Sequence, residues 1–344
     1  MLSDFVTRLF IAAGVSDDEA QCVAQSLVES NLHGHDSHGV HLARWYLSQL
    51  KHGELVAGAP FEVIHESPAM IAADGHLGFG QVQCPRLVDR LISMSRVNGV
   101  AGGTIRRCGH VGRLGEWVER AATAGFAALL AVNDNGAIRT VAPPGGIAPR
   151  LSTNPIAIAV PTGDRPVVLD ISTSVVANGK LKIARLEHRE VPLGWIQDAK
   201  GNPTTDPHAL LTDPPGALLP FGGDQSFKGF GLGLVFDILV AGLTGGFCPP
   251  GAPGTLEWNN VLVVVWDPVR WAGREHFVRE ADKLLDAVRT CPRKAGVDRI
   301  LVPGDRSAEV RAKRLETGIP LEGDTWPTLA HIAEKLQVAL PNPL

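Results

Sequence analysis

Hydrophobic residues recur at helical spacing near both ends of the chain and form short apolar runs in its middle. Phe5, Leu9 and Phe10 fall on one face of a first helix, which we expect to end at Gly14. Ser16 and Glu19 match a capping box that starts a second helix, and a third is expected over residues 42–50. Apolar runs typical of strands lie at 61–64, 69–73, 100–105, 127–132, 156–160, 167–169 and 261–266.

Helical patterns separate several of these runs, at 85–97 and 114–124, and they return near the end of the chain. The last predicted elements are helices at 273–289, 309–316 and 325–336, with Asp324 as the cap of the final helix, and a short strand at 300–302. Strands that alternate with helices are typical of an α/β fold. We predict an N-terminal helical region over 1–73 that packs with C-terminal helices over 274–344, and a mixed-sheet core over 74–273.

Composition and charge narrow the functional classes. The 344 residues are 44% hydrophobic and 20% charged, which suits a folded protein with a sizeable core. A net charge of −4 leaves no basic surplus to bind a nucleic-acid backbone. The five cysteines are widely spaced and fit reduced thiols, and the first residues do not match a signal peptide. The apolar window at 230–247 contains Asp237, so we expect a buried helix there and a cytoplasmic protein without a membrane partner.

The densest group of polar side chains includes His33, His35, His38 and His41. Imidazoles are common metal ligands, although this spacing matches no zinc signature. The segment equally suits a polar turn between two helices. In a third interpretation Ser37 and His38 line a pocket, where a histidine exchanges a proton near neutral pH. The spacing alone leaves the three interpretations open.

Three other segments are candidate ligand sites. Residues 108–115 have G-x-x-G-x-x-G spacing before a helix, where backbone N–H groups suit a phosphate, yet this is not the dinucleotide fingerprint and His110 also suits a plain turn. Residues 220–231 lack the spacing of a phosphate loop. Lys228 in this segment is expected either to bind an anion or to lie in a glycine-rich turn. Asp170 closes an apolar strand and either caps the next segment or contacts a ribose hydroxyl. Lys180 by itself is expected at the surface.

Taken in order, these segments resemble the malate/L-lactate dehydrogenase family of the non-Rossmann type. Its members include ureidoglycolate and sulfolactate dehydrogenases, a diketogulonate reductase and the piperideine-2-carboxylate and pyrroline-2-carboxylate reductases. The longest matching stretches are GHDSHGV at 34–40, GGIAPRLSTNP at 145–155, VLDISTSVVANGK at 168–180 and PLGWIQDAKGNPTTD at 192–206. The resemblance implies a non-Rossmann NAD(P)-binding α/β fold with a mostly antiparallel or mixed central sheet, helical regions from both termini around it, and a homodimer.

The resemblance also implies reversible hydride transfer between NAD or NADP and a small 2-oxo or 2-hydroxy acid. The catalytic residues it implies are Ser37, His38, His110 and Lys180, with His38 and His110 as rivals for the acid–base role. The implied substrate contacts are Tyr46, Arg44, Thr153 and Asn154. The implied cofactor contacts are His110, Val111, Gly112, Arg113, Leu169, Asp170, Ile171, Phe227, Lys228, Gly304, Asp305 and Arg306. No metal ion is expected.

Departures from the family pattern bear on the substrate. Lys180 favours an oxo acid, because a cation stabilises an alkoxide or carboxylate, whereas a cyclic-imine reductase relative has an acidic residue there. Leu42 stands where many members have an arginine, so either Arg44 takes that role or the substrate differs. Residues 133–135, Asn-Asp-Asn, also replace a Thr-Asn-Ser type sequence. The alternatives are a cyclic imino acid reductase, a metal-binding protein built on the histidine cluster, and a nucleotide-binding regulator without catalysis.

Overall fold

A computed structural model describes residues 1–252, 255–321 and 323–341 of the chain. The α-helices of the described residues are α1 (Leu2–Ala12), α2 (Asp17–Leu32), α3 (Ala43–His52), α4 (Gly80–Asn98), α5 (Leu114–Thr123), α6 (Asn178–Leu186), α7 (Phe227–Thr244), α8 (Arg274–Arg289), α9 (Asp305–Thr317) and α10 (Thr325–Lys335). The strands are β1 (Glu62–Ser67), β2 (Met70–Asp74), β3 (Val100–Cys108), β4 (Ala127–Asn133), β5 (Ile156–Val160), β6 (Val167–Ile171), β7 (Ile196–Gln197), β8 (Pro203–Thr204), β9 (Ala217–Leu218) and β10 (Asn259–Trp266).

Seven strands form one mixed sheet in the order β1-β2-β3-β10-β4-β5-β6. β1 and β2 are antiparallel neighbours joined by a tight turn. β2 and β3 are parallel, and α4 makes the crossover between them, as a parallel connection requires. Three two-residue strands form a separate antiparallel sheet in the order β8-β7-β9. The prediction of an α/β fold with a mixed central sheet and helical regions at both ends is confirmed.

Most predicted elements lie where the hydrophobic pattern placed them, but three local predictions are wrong. Residues 300–302 form no strand. Ser16 precedes α2 as expected, yet its side chain makes no capping hydrogen bond, and the Glu19 carboxylate accepts the Gly58 N–H at 2.7 Å instead. Asp324 likewise precedes α10 without a side-chain cap. Both helices therefore begin where expected, without the hydrogen bonds that the sequence suggested.

The chain divides into two compact units. The first comprises Met1–Leu130, Ala157–Asp170 and Val263–Leu344. In its largest helical core, side chains of α1, α2 and α3 pack with Leu329 and Ala333 of α10. Arg314 of α9 forms an ion pair with Asp36 at 2.7 Å, which fastens the C-terminal helices to the segment after α2. The domain boundaries expected at residues 73 and 273 stay a prediction.

The second unit comprises Ala131–Ile156 and Ile171–Leu262. One of its cores gathers buried side chains from α6 and the small sheet, and another packs Val240 of α7 against Ala131, Ile156 and Leu262. Among the described residues, α7 is the one helix with the length and hydropathy of a membrane span, a criterion that core helices of folded proteins also meet. Asp237 at the middle of α7 is buried. The expectation that the helix as a whole is buried is wrong for the single chain, because only 33% of it is buried and Leu234, Val235 and Ile238 are exposed.

Candidate active site

Two histidines that are far apart in the sequence face each other in the first unit. His38 ends a short 3₁₀ turn, Asp36–His38, and His110 follows β3. Their rings stack with centroids 5.5 Å apart and an angle of 19° between the planes. The Ser37 hydroxyl lies 3.0 Å from His38 Nδ1. The structure thus brings together three of the four residues that the resemblance implied as catalytic.

The turn that carries His38 is held by polar contacts from its neighbours. The Asn31 amide at the end of α2 donates to the Asp36 carboxylate at 2.6 Å and accepts the Val40 N–H at 2.8 Å. Arg314 donates to both oxygens of the same Asp36 carboxylate. A Cβ at Gly39 would overlap the Asn31 side chain, so glycine is needed for this close approach. Several residues of the GHDSHGV segment therefore serve to place His38.

His110 sits in a polar pocket within an apolar environment. Tyr46 of α3 places its hydroxyl 2.6 Å from His110 Nδ1, and the Gly112 N–H points to the same nitrogen at 3.3 Å. The Trp45 ring meets the imidazole edge-on at 5.4 Å. Burial, with smaller contributions from His38 and His41, lowers the pKa of His110 to about 3. His110 is therefore neutral at physiological pH.

The electrostatic surroundings of His38 differ from those of His110. Burial lowers the pKa of His38, while the Asp170 carboxylate opposes that shift and Arg113 adds to it. His38 is thus the member of the pair on which a carboxylate acts in favour of the protonated form, although burial still lowers its pKa overall.

The loop after His110 binds a carboxylate of the chain itself. Asp170 at the end of β6 accepts the Gly115 N–H at 2.7 Å, in the first turn of α5. Asp170 therefore caps α5, rather than the segment that follows it. Arg113 is buried and donates to Glu119 at 3.0 Å. Asp170 therefore occupies the Gly115 N–H within the protein, and the expectation that other backbone N–H groups of residues 108–115 bind a phosphate stays a prediction.

The implied cofactor residues at the start of α9 pack against β6. Gly304 adopts a φ of +94° and lies beside the Val168 backbone, a close approach that suits glycine. The buried Asp305 carboxylate pairs with Arg165 and Arg289 and accepts the Val302 N–H at 3.0 Å. These partners occupy Asp305 within the protein. Arg306, by contrast, is exposed and makes no ion pair within the described residues.

The remaining implied residues belong to the second unit, apart from Arg44, which is an exposed residue of α3 in the first. Asn154 is buried and donates to Asp237 at 2.8 Å, so its amide anchors α7. The Thr153 carbonyl accepts the Thr173 N–H at 2.9 Å. Lys180 on α6 and Lys228 in the first turn of α7 are exposed and form no ion pair within the described part of the chain.

The histidine cluster at 33–41 does not converge on one point. His33 Nδ1 bonds to the Glu29 carbonyl at 2.8 Å, and His35 Nε2 lies 3.3 Å from the Ser307 hydroxyl. Within residues 1–252, 255–321 and 323–341, no three His, Cys, Asp or Glu side chains are grouped as metal ligands. The geometry therefore gives the metal-binding alternative no support.

Sequence reasoning missed two polar residues of the first unit, Gln81, which is buried, and Glu116, which is partly buried. Gln81 in the first turn of α4 is 0% exposed and donates to the Tyr46 hydroxyl at 2.9 Å. The Glu116 carboxylate accepts the Ser26 hydroxyl at 2.6 Å. Each of these polar residues interrupts an otherwise apolar face of its helix. Because buried polar groups almost always have a hydrogen-bond partner, this interruption was the signal available in the sequence.

Comparison with known proteins identifies the family of the chain. The malate/L-lactate dehydrogenase family model matches residues 1–330. The chain is 34% identical to the L-lactate dehydrogenase of Cupriavidus necator over 343 residues, which covers 98% of this chain and 96% of that protein. It is 35% identical to the Δ1-pyrroline-2-carboxylate/Δ1-piperideine-2-carboxylate reductase of Pseudomonas syringae over 326 residues, or 92% of this chain and 90% of that one.

Solved structures show the same similarity. The malate dehydrogenase of Pyrococcus horikoshii aligns with a TM-score of 0.88 at 30% identity, covering 98% of this chain and 94% of that one. The Δ1-piperideine-2-carboxylate reductase of Pseudomonas syringae aligns with a TM-score of 0.83 at 33% identity, covering 96% and 98%. Similar folds thus occur in proteins named for a hydroxy acid and for a cyclic imino acid.

Proposed function

The chain belongs to the malate/L-lactate dehydrogenase family, and we propose that it transfers hydride between a nicotinamide cofactor and a small 2-oxo or 2-hydroxy acid. The observation that carries this proposal is the stacked pair of His38 and His110, with the Ser37 and Tyr46 hydroxyls on their ring nitrogens. Reduction of a carbonyl needs a proton at the oxygen as well as a hydride at the carbon. Histidine is the side chain that most often supplies such a proton.

The nicotinamide cofactor, when bound, supplies or accepts the hydride. The residues that would hold it include cations that form no ion pair within the described part of the chain. Lys228 and Arg306 each lie in the first turn of a helix, where backbone N–H groups also favour anions. Both side chains are exposed and form no ion pair with described residues. This donor set suits the phosphates of either NAD or NADP.

Lys180 completes the proposed chemistry from the substrate side. Its exposed ammonium is not engaged by an acidic side chain of the described residues. Such a cation holds a substrate carboxylate or stabilises negative charge that develops on the substrate oxygen. We assign it that role toward an oxo acid, together with Arg44, Thr153 and Asn154 as further substrate contacts.

The test measures the oxidation of NADH and of NADPH in the presence of a panel of 2-oxo acids. The oxidation is monitored as a loss of absorbance. We expect turnover with at least one oxo acid, and a fall of about 10²-fold or more when the acid–base histidine is replaced. His38→Asn and His110→Asn are made separately, because the two residues compete for that role. If neither substitution lowers the rate on this scale, the assignment of the histidine pair is wrong.

Reduction of a cyclic imino acid is the second candidate, because the Pseudomonas syringae relative at 35% identity is named for that activity. Parallel assays with an oxo acid and with piperideine-2-carboxylate separate the two candidates. Lys180→Asp follows, since an acidic group suits an iminium and an ammonium does not. Assays before and after chelation test the metal-binding alternative, and we expect activity to survive chelation.

We further propose that the protein is a cytoplasmic homodimer. One face of α7 exposes Leu234, Val235, Ile238, Leu239 and Leu243, each between 37% and 59% exposed. An apolar patch of this kind is typical of an interface. The five cysteines form no disulfide, which suits a reducing compartment. Light scattering of the purified protein tests the dimer.

A further inference from the structure

We propose that Gln81 is a positioning residue that acts through Tyr46 to keep the proton of His110 on Nε2. In this arrangement His110 donates a hydrogen bond to the substrate oxygen, and His38 is the group that gains and loses the proton. The role in turnover rests on the proposed dehydrogenase function. The tautomer itself does not, because it follows from the hydrogen bonds of the protein alone.

The first step is the direction of the hydrogen bond at Tyr46. The Gln81 amide nitrogen donates to the Tyr46 oxygen at 2.9 Å. The Tyr46 hydroxyl has one proton of its own, and its oxygen lies 2.6 Å from His110 Nδ1. Burial raises the pKa of Tyr46, so the hydroxyl keeps its proton throughout the physiological range. With Gln81 as donor to the oxygen, that proton is directed at His110 Nδ1.

A second donor reaches the same nitrogen independently. The Gly112 N–H points to His110 Nδ1 at 3.3 Å. Gly112 has a φ of +72°, which favours glycine, and a Cβ there would lie 3.2 Å from the Gln81 amide nitrogen. If the Gln81 amide were turned so that its oxygen faced Tyr46, the Tyr46 hydroxyl would donate to Gln81. His110 would then need a proton on Nδ1 to donate to the Tyr46 oxygen. That proton would then face the Gly112 N–H, so only the arrangement with an unprotonated Nδ1 satisfies both contacts.

The consequence is a division of labour between the two histidines. A neutral imidazole whose Nδ1 is an acceptor has its proton on Nε2, and it can polarise a carbonyl without becoming charged. Burial is the main cause of the lowered pKa of His110, and His38 and His41, both cationic when protonated, add to it. Burial also lowers the pKa of His38, but there the Asp170 carboxylate opposes the shift, with Arg113 adding to it. Of the pair, His38 is therefore the one whose imidazolium a carboxylate stabilises.

The proton balance follows from these positions. In reduction, a bound nicotinamide cofactor would supply a hydride to the substrate carbon, and the carbonyl π pair would become the lone pair of an alkoxide. That alkoxide takes the proton from the imidazolium of His38, which becomes neutral and is protonated again from water. His110 holds the same oxygen through Nε2–H and is unchanged at the end. In oxidation the sequence runs backwards, with neutral His38 as the base.

The experiment is a long-range ¹⁵N–¹H correlation spectrum of the full-length protein labelled with ¹⁵N-histidine, since this spectrum distinguishes the two neutral tautomers. The His110 signal is assigned by its loss in His110→Gln. We expect His110 to be neutral with the proton on Nε2 between pH 6 and pH 9. A proton on Nδ1, or a charged His110 at pH 6, overturns the proposal even if the enzyme is fully active.

Gln81→Glu is the decisive variant. Burial will raise the pKa of a carboxyl at this position, so the variant is studied at pH 9. An ionised Glu there accepts the Tyr46 proton, so Tyr46 must accept from His110 and the His110 proton moves to Nδ1. Turnover of the oxo acid should then fall by about 10²-fold, the loss typical of one donor to a developing oxyanion. Gln83→Glu is the matched control, because Gln83 is equally buried on the same helix but donates to the Ala59 carbonyl at 3.1 Å.

The outcomes separate positioning from stability. A shift of the tautomer in Gln81→Glu but not in Gln83→Glu supports the proposal, and an equal loss of turnover in both variants without a shift overturns it. If Gln81→Glu does not fold, Gln81→Met removes the donor to Tyr46 and should give a mixture of both tautomers. A wild type with the expected tautomer and no turnover of any oxo acid leaves the tautomer intact and refutes only the proposed function.

Discussion

Glu116 offers a test of how burial controls ionisation beside the candidate site. It lies in the first turn of α5, and the Ser26 hydroxyl of α2 donates to its carboxylate at 2.6 Å. Burial raises its pKa from 4.5 to about 7, against the opposing effects of Ser26 and Arg113. The carboxyl is therefore largely neutral in the folded protein below pH 7, whereas in the unfolded chain it ionises near pH 4.5.

The sign of the pH dependence follows from the raised pKa. The folded state favours the protonated acid, so this stabilisation is complete below about pH 4.5 and is lost as the pH rises through about 7. At 1.36 kcal/mol per pKa unit, a shift of about 2.5 units corresponds to about 3 kcal/mol. About 2.5 kcal/mol of that loss should fall between pH 5 and pH 8.5. A glutamine side chain in place of Glu116 imitates the neutral acid and cannot ionise.

The assay is urea unfolding of wild type and Glu116→Gln at pH 5 and pH 8.5. The free energy of unfolding of the variant relative to wild type should rise by about 2.5 kcal/mol between these two pH values. Ser26→Ala removes a hydrogen bond to the ionised form and should move the loss to higher pH. Glu316→Gln, at an exposed position of α9, controls for the substitution itself. A difference that stays constant with pH refutes the argument from burial.

Three further changes test other parts of the structure. Asp237→Asn should cost about 1–3 kcal/mol in urea unfolding, because the amides of Asn133 and Asn154 both donate to Asp237 and one would then face an NH₂ group; an unchanged midpoint contradicts this network. Lys180→Met should raise KM for the oxo acid about tenfold to a hundredfold, as expected for loss of a charge-assisted hydrogen bond, and an unchanged KM removes Lys180 from the site. Ile238→Asp, at a side chain 54% exposed, should convert the dimer to a folded monomer in light scattering, and a persistent dimer places the interface elsewhere.

The helices and strands with a strong hydrophobic period were predictable from the sequence, and their ends were less so. The helix expected at residues 85–97 already begins at Gly80. Its first turn was not predicted because Gln81 and Gln83 interrupt the apolar pattern, although both side chains are buried. Pro85 has no N–H to donate to the Gln81 carbonyl one turn earlier. The Cys22 thiol of α2 donates to that carbonyl at 3.2 Å. A proline inside the helix is therefore tolerated through a contact that the local sequence does not contain.

The strand that was predicted at residues 300–302 does not form, for a different reason. Ile300, Leu301 and Val302 have high β-propensity, but propensity alone does not provide a neighbouring strand. The Val302 N–H instead donates to the Asp305 carboxylate at 3.0 Å, a local contact at the start of α9. A strand needs a partner with matching register, and three residues give too little pattern to identify one.

The candidate site was predictable only as far as the family motifs extend. His38 and His110 could be assigned a shared function from the resemblance, but the sequence offered no way to rank them. The ranking that we propose depends on the groups that act on each imidazole, the Asp170 charge on His38 and the Tyr46 hydroxyl on His110. These partners come from separate elements, and no spacing rule connects them. The roles of neighbouring histidines are thus decided by tertiary contacts.

Isolated polar residues in apolar helices carry more information than the hydrophobic pattern assigns to them. Gln81, Glu116 and Asp237 each interrupt a helix face, and each bonds to a side chain at least 35 positions away. A buried polar group without a partner costs about 1–3 kcal/mol, so such an interruption predicts a long-range contact even where the partner is unknown. In α7 this argument favours a protein environment around Asp237 over a lipid one, since Asn133 and Asn154 supply the amides that the carboxylate needs.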